Sequence, residues 1–326
     1  MVVLCSADGP RPSHMEAVEE RAEVRYVTAD ELAEAIVDAR ALFLWDFFSG
    51  ALQNAWPHAK RLEWIHVAAA GVDTLLFDEL KGSAVVVTNA RGIFDRPIAE
   101  FVLASILAYA KDLHRSHDLQ LARTWQHRET LTVTGSTALV VGTGSIGRET
   151  ARLLRAVGME VRGAGRRSRS DDPDFGSVVA SAELADHVGW ADHVVILAPL
   201  TDTTRNLMDA KVLTRMKPTA HLVNVGRGAI LDEDALVDAL DGGLFGGASL
   251  DVFRSEPLPA DHPLWSTRGV AVSPHMSGDV VGWTDALATQ FADNAARWLD
   301  DEELLNVVDK KLGFSRPPPD TEVSHG

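Results

Sequence analysis

Three short segments, far apart in the chain, each hold a residue fit for acid–base work: Arg227 in VNVGRGAI, Glu256 in LDVFRSEPLP and His275 in VSPHMSG. A guanidinium can fork onto a carboxylate. An imidazole carries a proton near neutral pH, and a carboxylate beside it favours the charged ring. The triplet therefore suits proton transfer on a substrate that bears a carboxylate.

A second stretch, ALVVGTGSIGRETARLLRAVG, runs a strand into Gly142, Gly144 and Gly147 and then into a helix beginning near Ser145. Gly142 permits the tight turn, Gly144 lets a pyrophosphate approach the backbone, and Gly147 allows close helix packing. The helix N–H groups around Ser145 and Ile146 would face the phosphate. GxGxxG alone is weak evidence, but in a strand–turn–helix setting it reads as dinucleotide binding. The next strand, MEVRGA, should end on an acid that holds a ribose 2′-hydroxyl. None is there: Gly165 is followed by Arg166, Arg167 and Ser168. Two guanidiniums beside a missing carboxylate suit a 2′-phosphate, so NADP(H) is the expected cofactor, with NAD(H) possible.

The elements that must position these residues alternate short β-branched runs with helical stretches, the pattern of a parallel α/β sheet. MVVLCS, ALFLW, WIHVAA and AVVVTNA read as buried strands of one unit, with helical periodicity over ELAEAIVDA. ALVVGTG, MEVRGAG, HVVILAP, AHLVNVG, GASLDV and GVAVSPH read as a second, larger sheet, with helices over 145–157 and 232–240. A helical stretch over 98–121 could cross between units, and 284–299 could return the chain to the first. The tail GFSRPPPDTEVSHG has no period and reads as flexible.

At 326 residues two domains are expected. Thirty-one Lys and Arg against 47 Asp and Glu leave a net charge of -16, which repels nucleic acid and anionic membrane. No apolar run reaches the roughly 18 residues of a membrane helix. The single Cys5 permits no internal disulfide and has no catalytic histidine near it in sequence. With no secretory signal in MVVLCSADGP, a cytoplasmic protein is expected. HExxH-like spacing is absent, which disfavours metal-dependent hydride chemistry and leaves no expected metal site. His58, His66, His114, His117, His127, His187, His193, His221 and His262 read as surface or packing residues.

GTGSIG, ILAPLTDTTRNLMD, MKPTAHLVNVGRGAILDEDALVDAL, GASLDVFRSEPLPADHPLW and VSPHMSG follow one another over nearly the whole chain. In this the sequence resembles the D-isomer-specific 2-hydroxyacid dehydrogenases, most of all their glyoxylate/hydroxypyruvate reductase branch. The resemblance implies an α/β fold of two Rossmann-like, doubly wound parallel-sheet domains with a cleft between them. Residues 1–99 and 285–326 would form a flavodoxin-like substrate-binding domain, and 100–284 the dinucleotide-binding domain. It implies that Arg227 grips the substrate carboxylate and keto oxygen, that His275 gives the proton, and that Glu256 is the histidine's partner. Gly71 and Val72 in AAAGVD would bind the substrate carboxylate through backbone N–H groups, with Trp45 and Arg91 near the same pocket. Pro199, Thr204, Val225, Gly226, Asp251, Ser277 and Gly278 would line the cofactor. The expected activity is reversible NADPH-preferring reduction of a small 2-ketoacid to the D-2-hydroxyacid by a homodimer, the stretch 113–125 contributing a dimer arm. The alternative is a nucleotide-sensing corepressor on the same fold.

Overall fold

The computed structural model describes residues 1–315, and the remainder of the expected flexible tail lies outside the described residues. Packing divides the chain into Met1–Phe94 with the chain from Val280 on, and Asp95–Asp279. Both boundaries precede the 99/100 and 284/285 positions read from the sequence, and each lies just ahead of or at a helix start. The helix Asp95–Ala110 buries Val102, Ile106 and Ala110 among Ala138, Val140 and Val223 of the second unit, so its first turn belongs there too. The helix Trp283–Leu299 stacks Phe291 on Phe43, 3.9 Å between ring centroids and 7° from parallel, which ties it to the first unit.

In the first unit, β1 (Val2–Leu4), β2 (Arg25–Val27), β3 (Ala41–Leu44), β4 (Trp64–Val67) and β5 (Val86–Asn89) lie in the order β2-β1-β3-β4-β5, all parallel. That is the flavodoxin-like order. Every residue of β1, β3 and β4 is buried, as in a sheet covered on both faces. The sequence reading missed β2, whose three residues are only half-buried and carry no continuous apolar run. Phe314–Ser315, near the start of the tail read as flexible, instead pairs antiparallel with Val308–Asp309 just ahead of it.

The second unit holds β6 (Thr137–Val141), β7 (Glu160–Gly165), β8 (Arg169–Asp172), β9 (Gly176–Ala180), β10 (His193–Ile196), β11 (His221–Asn224), β12 (Gly247–Leu250) and β13 (Val270–Val272). Their order is β13-β12-β11-β10-β6-β7-β9-β8. The order reverses between β6 and β10, the switch point beside which doubly wound sheets bind ligands. The hairpin β8–β9 was not legible, because RSDD is a polar edge strand without alternation. The stretch 98–121 is two helices, Asp95–Ala110 and Leu113–Leu121, broken at Asp112, whose φ is +50°. No helix among the described residues is long and apolar enough to cross a membrane.

Three histidines are buried in these sheets. His66 pairs through Nδ1 with Thr88 Oγ1 at 2.8 Å, and His221 through Nε2 with Ser249 Oγ at 3.0 Å while stacking on Tyr109. Desolvation pushes His66 down to about 3 and His193 to about 4, and holds His221 well below its ordinary value. Such rings take up protons in the unfolded chain before the folded one. Stability is therefore greatest above about pH 6.5 and falls as pH drops towards the folded values, by about 1.4 kcal/mol per pH unit for each ring. Urea midpoints measured from about pH 7 down to about pH 4.5, above most carboxylate titration, should fall steadily. A constant midpoint over that window would show that the rings charge in place.

Candidate active site

The glycine turn follows β6 directly. Gly142 has φ +118°, and a Cβ there would sit 2.5 Å from the backbone of Leu197 and Ala198. A Cβ on Gly147 would collide with the Gly142 carbonyl. The chain's own packing thus requires both glycines. Gly144 is different: a Cβ there would meet nothing within 4 Å, which leaves its backbone open to approach from outside. The helix Ser145–Ala156 starts here with no side-chain cap on its first N–H groups. Those of Ser145 and Ile146 remain available to an anion, whereas the Ser145 hydroxyl already donates to Asp95 Oδ1 at 3.1 Å.

At the end of β7 the position of a ribose-binding acid is filled by Gly165, where a Cβ would press on Thr143 Oγ1 at 3.0 Å. Arg166, Arg167 and Ser168 are exposed, and neither arginine forms an ion pair among the described residues. A carboxylate-free, cationic loop here fits a cofactor with a 2′-phosphate. On the other side of the switch point, the turn after β10 is closed by Thr204, whose hydroxyl donates to the Pro199 carbonyl at 2.7 Å and accepts from Thr201 N at 2.8 Å. Val225, directly after β11, is a core residue, 6% exposed.

Arg227 follows β11 on a turn fixed by fully buried Asn224. The Asn224 amide accepts from Gly226 N and donates to the Arg227 carbonyl, both at 3.2 Å. Sequence reasoning passed over Asn224; a polar residue closing an otherwise apolar strand was the available signal. Of the glycines flanking Arg227, Gly228 makes room for the chain itself, since a Cβ there would overlap the backbone of Phe253 and Arg254. A Cβ on Gly226 would press on the Ala198 and Ile196 carbonyls at 3.1 and 3.3 Å.

His275 Nδ1 lies 2.6 Å from Glu256 Oε2, and Phe253 N donates to the other carboxylate oxygen at 2.8 Å. Burial works to raise the Glu256 carboxyl. The hydrogen bonds from His275 and Phe253, with the nearby charge of Arg227, outweigh it and hold the group below its usual range. Glu256 is thus a carboxylate at neutral pH, aimed at one ring nitrogen. His275 itself has φ +53°, an uncommon left-handed conformation for a side-chain-bearing residue.

Asp251 holds that conformation. Its carbonyl accepts from His275 N at 2.8 Å, and its carboxylate accepts from Ser273 Oγ, Met276 N and Ser277 N at 2.6, 3.0 and 2.9 Å. The resemblance placed Asp251 against the cofactor; the structure shows a fully buried carboxylate engaged with the loop that carries His275. Ser277 and Gly278 are buried in the same loop.

Gly71, Val72, Trp45 and Arg91 belong to the first unit. The Val72 side chain is a core residue at 1% exposure, so only its backbone could serve a ligand. The Trp45 indole N–H donates to the Pro10 carbonyl at 2.9 Å, and the Arg91 carbonyl accepts from Gln290 and Asn306. Thus Arg227, Glu256 and His275 come together within the second unit, and these four residues are positioned within the first.

The chain is similar to known proteins in sequence and in fold. Residues 103–277 match the NAD binding domain of the D-isomer specific 2-hydroxyacid dehydrogenases. A glyoxylate reductase of Aeropyrum pernix is 33% identical over 80% of this chain and 80% of its own. An (S)-sulfolactate dehydrogenase of Chromohalobacter salexigens is 33% identical over 70% of this chain and 75% of its own. Among solved structures, a D-isomer specific 2-hydroxyacid dehydrogenase from Xanthobacter autotrophicus, in complex with NADPH and MES, superposes with a TM-score of 0.82 at 28% identity, covering 96% of this chain and 100% of that one. The chain belongs to the D-isomer specific 2-hydroxyacid dehydrogenase family, enzymes that work with a nicotinamide cofactor.

Proposed function

We propose that this enzyme reduces a small 2-ketoacid of the glyoxylate or hydroxypyruvate type to the D-2-hydroxyacid, with NADPH preferred over NADH. The observation that carries the reading is the 2.6 Å contact between His275 Nδ1 and Glu256. It fixes the ring by one nitrogen, so proton transfer to the substrate oxygen falls to Nε2. Glu256 stabilises the ring's positive charge until the proton leaves. Arg227 would hold the substrate carboxylate and polarise the adjacent carbonyl with its planar fork. When bound, the nicotinamide cofactor supplies the hydride. The N–H groups at Gly144, Ser145 and Ile146 would hold its pyrophosphate, and Arg166 and Arg167 its 2′-phosphate. In the first unit, Gly71 and Val72 would offer backbone N–H groups to a carboxylate, with Trp45 and Arg91 serving the substrate as well.

NADPH preference is supported by the two exposed arginines and by the NADPH held in the Xanthobacter relative. The glyoxylate reductase relative supports the substrate class. A homodimer is supported by the stretch 113–125 of the second unit, a largely polar segment that nonetheless leaves Leu121 and Trp125 70% and 101% exposed.

Initial rates on a panel of 2-ketoacids with each cofactor test the reading. Turnover on glyoxylate or hydroxypyruvate should be fastest with NADPH. His275→Ala should lower kcat by about 10²–10⁴-fold while leaving cofactor binding intact. Glu256→Gln should narrow the pH profile of reduction on its alkaline side, and an unchanged profile would remove Glu256 from the mechanism. Replacing Arg166 and Arg167 by Ala should raise KM for NADPH by about 10-fold or more, at 1.5–3 kcal/mol per lost charged hydrogen bond, and leave KM for NADH unchanged.

A further inference from the structure

A cluster of charges in the second unit plays no part in the chemistry above. Asp172, at the end of β8, has a side chain only 2% exposed, and Asp174 in the following turn is 10% exposed. Around them stand three guanidiniums. Arg148 forks onto Asp172 through both terminal nitrogens at 3.1 Å and reaches Asp174 at 2.6 Å. Arg169 donates from Nε to Asp172 at 2.8 Å, and Arg152 donates from Nε to Asp174 at 2.7 Å. The backbone N–H groups of Asp174 and Phe175 complete the shell of Asp172 at 3.1 and 3.2 Å. Burial works to raise both carboxyls, yet these partners hold Asp172 well below its usual range and Asp174 below it.

The partners' places in the chain give the cluster its meaning. Arg148 follows Gly147 on the glycine-turn helix, which would carry the pyrophosphate. Arg169 opens β8 directly after Ser168, the last residue of the loop that would carry the 2′-phosphate. One buried carboxylate therefore ties together the two elements that would bind opposite ends of the adenosine diphosphate moiety. It also engages Arg148 and Arg169 themselves, leaving Arg166 and Arg167 as the loop's cations without an ion pair among the described residues. Phe175, fully buried against Gly163 of β7, anchors the hairpin from the other side. A buried ion cluster adds little net stability over apolar packing, but breaking it by removing one partner is costly, so it fixes geometry more than it strengthens the fold.

We propose that Asp172, supported by Asp174, is a positioning residue for cofactor specificity: through Arg148 and Arg169 it sets the 166–168 loop against the glycine-turn helix at the spacing a 2′-phosphorylated adenosine requires. The proposal rests on the NADPH reading given above. Its test uses the full chain without cofactor and two probes that differ only in the 2′-phosphate, adenosine 2′,5′-bisphosphate and 5′-AMP, titrated by calorimetry. In Asp172→Asn the affinity ratio of bisphosphate over 5′-AMP should fall about tenfold, the loss of roughly one charged hydrogen bond. Trypsin cleavage at the 166–169 arginines should accelerate in the same variant. If Asp172→Asn does not fold, Asp174→Asn carries the test, with a smaller fall in the same direction. A ratio that stays constant or rises in the folded aspartate variant, while Arg166→Ala with Arg167→Ala lowers it, overturns the positioning role and spares the NADPH reading. A ratio that no variant moves overturns both.

Discussion

Backbone meets backbone at the C-terminal ends of four neighbouring strands, and the functional end of the second unit depends on that constraint. After β6, Gly142 lies against Leu197 and Ala198 of the β10 turn; after β11, Gly226 lies against Ile196 and Ala198, and Gly228 against Phe253 and Arg254 beyond β12. Each contact closes a gap that a side chain would force open. The turns that emerge from this packing carry the glycine loop, Arg227 and Glu256 as neighbours. A residue with a Cβ at Gly142 or Gly228 would move whole turns, because the obstructing atoms are main chain.

Within that frame His275 is held by side chains on two sides. Asp251 fixes the main chain of His275 and its loop, and Glu256 fixes the ring. The division is physically sensible, because a left-handed backbone at a histidine needs an external clamp and a proton-transferring ring needs a defined orientation. Neither carboxylate can do the other's work: Asp251 is buried and fully engaged, whereas Glu256 reaches one ring nitrogen and one backbone N–H. Asp172 and Asp174 do comparable work at the cofactor's expected adenosine end, where carboxylates bind the chain's own arginines and thereby determine which cations remain for a ligand.

Legible from the residues alone were the alternation of strands and helices, the glycine turn, the absence of an acid after β7, and the ordered Arg, Glu and His segments. These are local facts: buried parallel strands must be apolar runs, a pyrophosphate-binding turn must be glycine-rich, and a motif's residues are written in its own stretch of chain. The remainder depends on which segments the fold brings into contact. That Gly228 serves Phe253, that Asp251 clamps His275, and that Asp172 joins Arg148 to Arg169 depend on contacts between segments distant in sequence or on different strands. The β8–β9 hairpin and β2 escaped notice because their residues are polar or half-buried, and only pairing with a neighbour makes them strands. Local composition fixes what an element can be; which backbone or charge it meets is fixed when the sheet orders β6 beside β10.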